Sequence, residues 1–224
     1  MKRSEINQII HHAEAFLAKK QFILPEWAGW SVEDWKKRKD ETAYITERML
    51  GWDITDFGSG DFQKRGLFLF TLRNGKYGVD KKPYAEKIMI VEENQETPLH
   101  FHWSKMEDII NRGGGNLVVE LYNSTEDEKL VDTPVHVLVD GLEKVLQPGE
   151  KLILKPGQSI CMTQYLYHRF YGEEGCGTVM VGEVSQCNDD CTDNRFYEKV
   201  GRFPDVEEDE KPYHLLCSDY ARFL

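Results

Sequence analysis

The sequence predicts a mainly β protein, an antiparallel sandwich or barrel with a helical N-terminal region packed on it. Three observations carry this expectation. Helical periodicity fades near residue 55, short apolar runs between turn signals take over from residue 66, and no helical pattern separates those runs. Closely spaced strands without helices between them exclude a βαβ architecture. We read the 224 residues as one domain: a helical region over 1–55, a β-barrel over 66–186 and an irregular tail over 187–224.

Each element has a local reason. Ile6, Ile9, Ile10, Ala13, Phe16 and Leu17 recur at helical spacing, with Ser4 as the expected N-cap. Pro25 interrupts, and Ser31-Val32-Glu33-Asp34 reads as a capping box opening a second helix. A third stretch runs from Ala43 to Leu50 and is stopped by Gly51; Trp27, Trp30 and Trp35 are expected to be packing anchors. Strands are expected at Leu67–Leu72, Ala85–Val91, Thr97–His102, Asp108–Asn111 and Leu117–Tyr122. Gly113-Gly114-Gly115 reads as a tight turn. Further strands are expected at Val135–Val139 and Lys144–Leu146 around the hairpin signal Asp140-Gly141, then Lys151–Leu154, Ile160–Tyr171 and Thr178–Val184. The acidic run Glu207-Glu208-Asp209-Glu210 reads as a solvated loop.

Charge narrows the partners. Lys plus Arg number 28 and Asp plus Glu 39, a net −11, which repels phosphate backbones and anionic lipid, so neither nucleic acid nor membrane is expected. No apolar run reaches the ~18 residues of a membrane span, and Met1–Ile6 is no signal-peptide core. The five cysteines, Cys161, Cys176, Cys187, Cys191 and Cys217, form no CxxC and are odd in number, so reduced thiols in a cytoplasm are expected.

The chemistry concentrates at Pro98–Asp108. On a strand, His100 and His102 share a face, and Trp103–Met106 can turn the chain to return Glu107 beside them. His168, on a later strand, can add a third imidazole. His₃Glu suits Mn²⁺, Fe²⁺, Co²⁺, Ni²⁺ or Zn²⁺ and leaves coordination positions open. His11, His12, His136 and His214 read as structural or exposed.

Here a resemblance enters. His100-x-His102-x₄-Glu107-x₆-Gly114 resembles the first cupin motif, with Asn94 where a glycine usually precedes it, and His168 would be the second motif's histidine, eleven residues past Gly157. This implies a double-sheet β-barrel (jelly roll) with metal inside, and a homodimer, since cupins commonly pair. Two stretches are similar to the D-lyxose isomerases, a cupin family: His100–Ile109 and Gly182–Phe196. That resemblance implies a manganese-type divalent ion. It also implies interconversion of D-lyxose with D-xylulose and of D-mannose with D-fructose.

Such a reaction needs a Lewis acid, a base at carbon and a proton shuttle between oxygens. Val179, Val181 and Glu183 alternate on one strand, so Glu183 is expected to face the interior as the base. Lys105, between two ligands, is the expected acid and oxygen-polarising group; Arg195 and Asp189 are expected to bind sugar hydroxyls. Plainer readings are a solvated Lys105, a structural Glu183–Arg195 pair, and Arg195 and Asp189 merely pinning the tail. No cluster of basic residues suggests a phosphate site, so the expected substrate is a free sugar. Competing functions are a phosphosugar isomerase, a cupin dioxygenase and a non-catalytic sugar-binding cupin.

Overall fold

The computed structural model describes residues 1–224. Its elements in order are α1 (Arg3–Lys19), α2 (Val32–Lys37), α3 (Ala43–Glu47), β1 (Gly51–Thr55), β2 (Leu67–Arg73), β3 (Tyr84–Val91), β4 (His100–Phe101), β5 (Glu107–Gly114), β6 (Leu117–Ser124) and β7 (Leu130–Val131). They continue with β8 (Val135–Val139), β9 (Leu142–Leu146), β10 (Leu152–Leu154), β11 (Ser159–Met162), β12 (Tyr167–Gly172), β13 (Val179–Gln186), β14 (Arg195–Phe196) and α4 (Tyr220–Phe223). Two sheets face each other: eight strands in the order β1-β2-β3-β13-β5-β11-β8-β9, and five in the order β10-β6-β12-β4-β14 with β7 added on β6. The ladders are antiparallel.

Period-2 alternation puts one set of side chains between the sheets. Leu69, Met89, Val91, Ile109, Val119, Leu121, Ile160, Phe170, Val179 and Val181 form that interior. The opposite parity of β1–β3, including Ile54, Phe68, Phe70, Ile88 and Ile90, is covered by Ile6, Ile10, Ala13 and Leu17 of α1. The eight-stranded sheet is therefore apolar on both faces where α1 lies, and a third cluster joins Trp35 to Leu215, Cys217 and Tyr220, flanked by Trp27 and Trp30. The tryptophans are packing anchors: Trp27 and Trp30 lie 6.2 and 5.2 Å from Trp35, ring centre to ring centre.

Several expectations hold in detail. Ser31 and Asp34 form a reciprocal capping box. Ser31→Ala should cost ~1 kcal/mol, read as a lower denaturation midpoint at unchanged activity. Asp140 and Gly141 take positive φ of 53° and 78°, the geometry of a two-residue hairpin turn.

Others are corrected. The α1 N-cap is Lys2, not Ser4, whose backbone N–H and hydroxyl both donate to Asp209. The acidic run is a largely exposed loop, as expected, but it also anchors α1. Glu208 accepts from the fully buried Arg3 and Glu210 from Asn7, so these carboxylates lie at the positive end of α1. Gly51 opens a strand instead of only stopping a helix. Its φ is +111°, and a Cβ there would meet the Tyr220 hydroxyl at 2.7 Å. Thr97–His102 shrinks to the two residues of β4. Ile160–Tyr171 splits at Tyr165 (φ 60°) into β11 and β12, which belong to opposite sheets. Gly113 and Gly114 end β5 beside a bulge against β13, where a Cβ on Gly114 would lie 2.2 Å from the Thr178 carbonyl oxygen.

Candidate active site

The six-stranded sheet supplies three imidazoles. His100 lies in β4 and is register partner to His168 of β12; His102 follows directly after β4. Glu107 heads β5 and so arrives from the facing sheet, across the barrel rather than from a neighbouring strand. Each ring is fixed by its Nδ1: His100 on the Pro98 carbonyl at 2.8 Å, His102 on the Asp193 carbonyl at 2.7 Å, His168 on the Leu166 carbonyl at 2.9 Å. A carbonyl only accepts, so each Nδ1 carries a proton, and in the neutral ring Nε2 presents a lone pair.

Those lone pairs converge. One ligand atom from each of the three histidines lies within 4.8 Å of the others. Glu107 Oε1 is 3.2 Å from His168 Nε2 and Oε2 is 3.5 Å from His102 Nε2. His168 Nε2 is buried without a hydrogen-bond partner, a state that costs ~1–3 kcal/mol unless something else fills it. Burial, aided by the neighbouring imidazoles, holds His100 well below the usual histidine value. Burial and Lys105 lower His102 as well. Burial opposes ionisation of Glu107, yet Lys105 and the imidazoles hold its carboxyl well below the usual range. The lowered His100 and His102 beside an ionised Glu107 are in the protonation states a divalent cation requires. The residues fit such an ion.

Beside this set runs a chain of alternating charge. Lys105 Nζ lies 2.8 Å from both Glu107 Oε2 and Glu183 Oε1. Glu183 Oε1 is 3.4 Å from Lys87 Nζ, which is 3.7 Å from Asp190 Oδ2; Arg202 then joins Asp190 at 3.1 Å and Asp53 at 2.6 Å. Lys105 is 2% exposed, so it is no solvated turn lysine. Burial disfavours its charge, but the carboxylates of Glu107, Glu183 and Asp190 outweigh burial and raise its pKa. Asp190 is likewise held low against burial by Arg202, Lys87 and Lys105. Glu183 faces inward in line with Val179 and Val181, as its alternation predicts.

Two expected sugar-binding residues are not brought to this cavity. Arg195 donates from Nε to Glu128 at 2.6 Å, pinning β14 to the β6–β7 loop, and makes no pair with Glu183. Asp189 is exposed, and its Oδ1 accepts from the Cys191 backbone N–H within its own turn. Their neighbours Asp190, Asn194, Phe196 and Arg202 line the cavity instead, with Lys87. Lys87 carried a signal: it shares strand parity with Met89 and Val91, and so faces the interior. Asp190, Asn194 and Arg202 lie in aperiodic chain and carried none.

Comparisons with known proteins identify the family. The D-lyxose isomerase family pattern matches residues 1–220. The D-lyxose/D-mannose isomerase of Serratia proteamaculans is 49% identical over 227 residues, and that of Escherichia coli O157:H7 46% identical over 227, each covering 100% of both chains. Among solved structures, Acinetobacter sp. DL28 L-ribose isomerase in complex with L-ribose superposes with a TM-score of 0.57 at 15% identity, covering 89% of this chain and 93% of that one. At that identity the likeness supports the fold alone. With the family pattern spanning nearly every residue and relatives near half-identical from end to end, the chain belongs to the D-lyxose isomerase family.

Proposed function

We propose that the protein is a metal-dependent aldose–ketose isomerase converting D-lyxose to D-xylulose and D-mannose to D-fructose through an enediol, with Mn²⁺ as its ion. The observation that carries this reading is one cavity lined by the donors His100, His102 and Glu107 and by the buried Lys105–Glu183 pair, with His168 behind them. The names of the two near-half-identical relatives support the sugar. His100, His102, Glu107 and His168 would hold the ion, which when bound supplies Lewis-acid polarisation of the sugar's oxygens.

The remaining steps belong to side chains. Glu183 takes the proton from C2 of the aldose and returns it to C1. Lys105 gives a proton to O1 and receives the one leaving O2, so atoms and charge balance. Lys87 and Lys105 flank the Glu183 carboxylate and aim it. Asp190, Asn194 and Arg202, which line the cavity, would hydrogen-bond the distal hydroxyls in the roles expected of Asp189 and Arg195. The free volume among these groups is ≈ 40 Å³, room for a few waters, so sugar entry requires the walls to part. The lining carries three cations, Lys87, Lys105 and Arg202, and three carboxylates, Glu107, Glu183 and Asp190. Each cation already faces a carboxylate, which favours a neutral sugar over a phosphorylated one. A homodimer in solution belongs to the same reading and is checked by sedimentation.

D-lyxose and D-mannose share configuration at C2, C3 and C4, whereas D-xylose and D-glucose invert C2. Inversion moves the C2 hydrogen away from Glu183, and misplacement of this kind costs ~10²-fold or more. The expected order is lyxose, then mannose, with xylose and glucose negligible. Competition among the four free sugars and mannose 6-phosphate tests it; preference for the phosphosugar would point to a phosphosugar isomerase.

A further inference from the structure

We propose that Asp193 is a positioning residue that acts through both Lys105 and His102. This rests on the isomerase reading above for its kinetic consequence, and on geometry alone for its metal consequence.

Three hydrogen bonds meet at this one residue. Its Oδ1 accepts from the Ser104 backbone N–H at 2.7 Å and its Oδ2 from the Lys105 backbone N–H at 3.1 Å. Its own carbonyl accepts from His102 Nδ1 at 2.7 Å. The side chain is buried, and the residue sits between Asp190 and Asn194, which line the cavity, and Phe196, whose ring centre lies 5.5 Å from that of His100.

The turn Trp103–Met106 must deliver two groups from opposite directions. His102 leaves the six-stranded sheet, and Glu107 enters the eight-stranded one. Lys105 lies between them, and its ammonium must bridge Glu107 and Glu183. A carboxylate accepting two successive backbone N–H groups fixes such a turn through charge-assisted bonds. The same residue's carbonyl sets the His102 tautomer. The Gly182–Phe196 stretch therefore does more than wall the cavity: through Asp193 it locks the metal-ligand turn from outside.

Asp193→Ala removes both side-chain bonds and loosens the carbonyl. Asp193→Asn keeps the shape but sets an amide donor against one N–H. Thermal melting of both establishes folding. Mn²⁺ binding is then titrated without sugar, and kcat and KM for D-lyxose are measured at saturating Mn²⁺. We expect Mn²⁺ affinity to fall about tenfold and kcat to fall ~10–100-fold in Asp193→Ala, the range for losing an outer partner of a metal site. Asp193→Asn should fall between that variant and the native protein. In a Lys105→Ala background, Asp193→Ala should lower kcat little further, because the effect runs through Lys105. An undiminished effect in that background, or kcat within twofold of native, would overturn the Lys105 arm; unchanged Mn²⁺ affinity would overturn the His102 arm. If the native protein fails to convert D-lyxose, the isomerase reading falls, while the Mn²⁺ titration still decides the role of Asp193 toward His102.

Discussion

Glu183→Gln should retain the metal and lose about 10²–10⁴-fold in turnover, the range for removing a positioned acid or base. The substitution keeps the side chain's length and volume while deleting its charge. Glu183 Oε1 touches Lys105 at 2.8 Å and Lys87 at 3.4 Å, and Glu183 is not one of the four residues proposed to hold the ion. Metal stoichiometry is therefore expected to stay native, which separates this variant from a ligand mutant. Native protein should exchange the C2 hydrogen of D-lyxose with solvent deuterium, and Glu183→Gln should lose that exchange together with turnover. Turnover within a few-fold of native would return Glu183 to a structural role as the counter-ion of two buried lysines.

The second large effect is expected at the ligands. His168→Ala, His102→Ala and Glu107→Ala should each lower Mn²⁺ affinity by more than the 10–100-fold typical of an outer partner, with activity falling in step. The three differ in what they leave behind. Glu107→Ala also strips Lys105 of one of two carboxylates and leaves a buried ammonium half-compensated, so it should destabilise the fold as well. His168→Ala leaves no charge unpaired, because the orphaned atom itself departs. It is the cleaner test, read by elemental analysis and calorimetric titration. Native affinity in His168→Ala would remove it from the ligand set.

The antiparallel double-sheet barrel was legible because its signals are local: alternation in Ala85–Val91 and Thr178–Val184, and the Asp140-Gly141 turn. The candidate metal group was legible in part for the same reason, since period 2 directs His100 and His102 to one face. Where the sequence misled, tertiary context decided. Ile160–Tyr171 reads as one strand because β11 and β12 both carry buried apolar residues on their inner faces. Nothing local marks that Tyr165, a non-glycine residue at φ 60°, carries the chain from one sheet to the other. Strand β1 hid behind the helical region, and its Asp53, 2% exposed, is held by Arg202, far along the chain. The carboxylate that lines the cavity is Asp190, next to the expected Asp189. In an aperiodic tail nothing tells which of two adjacent aspartates turns inward. Asp190 turns inward onto Arg202, with Lys87 nearby.

Ketose formation should depend on an ion held by His100, His102, Glu107 and His168. The most direct measurement is the rate of D-xylulose formation from D-lyxose by protein stripped with a chelator, shown metal-free by elemental analysis, and then titrated with Mn²⁺. Turnover should be near background in the stripped protein and should recover to saturation at about one ion per chain. Full activity in protein verified to be metal-free would contradict that dependence.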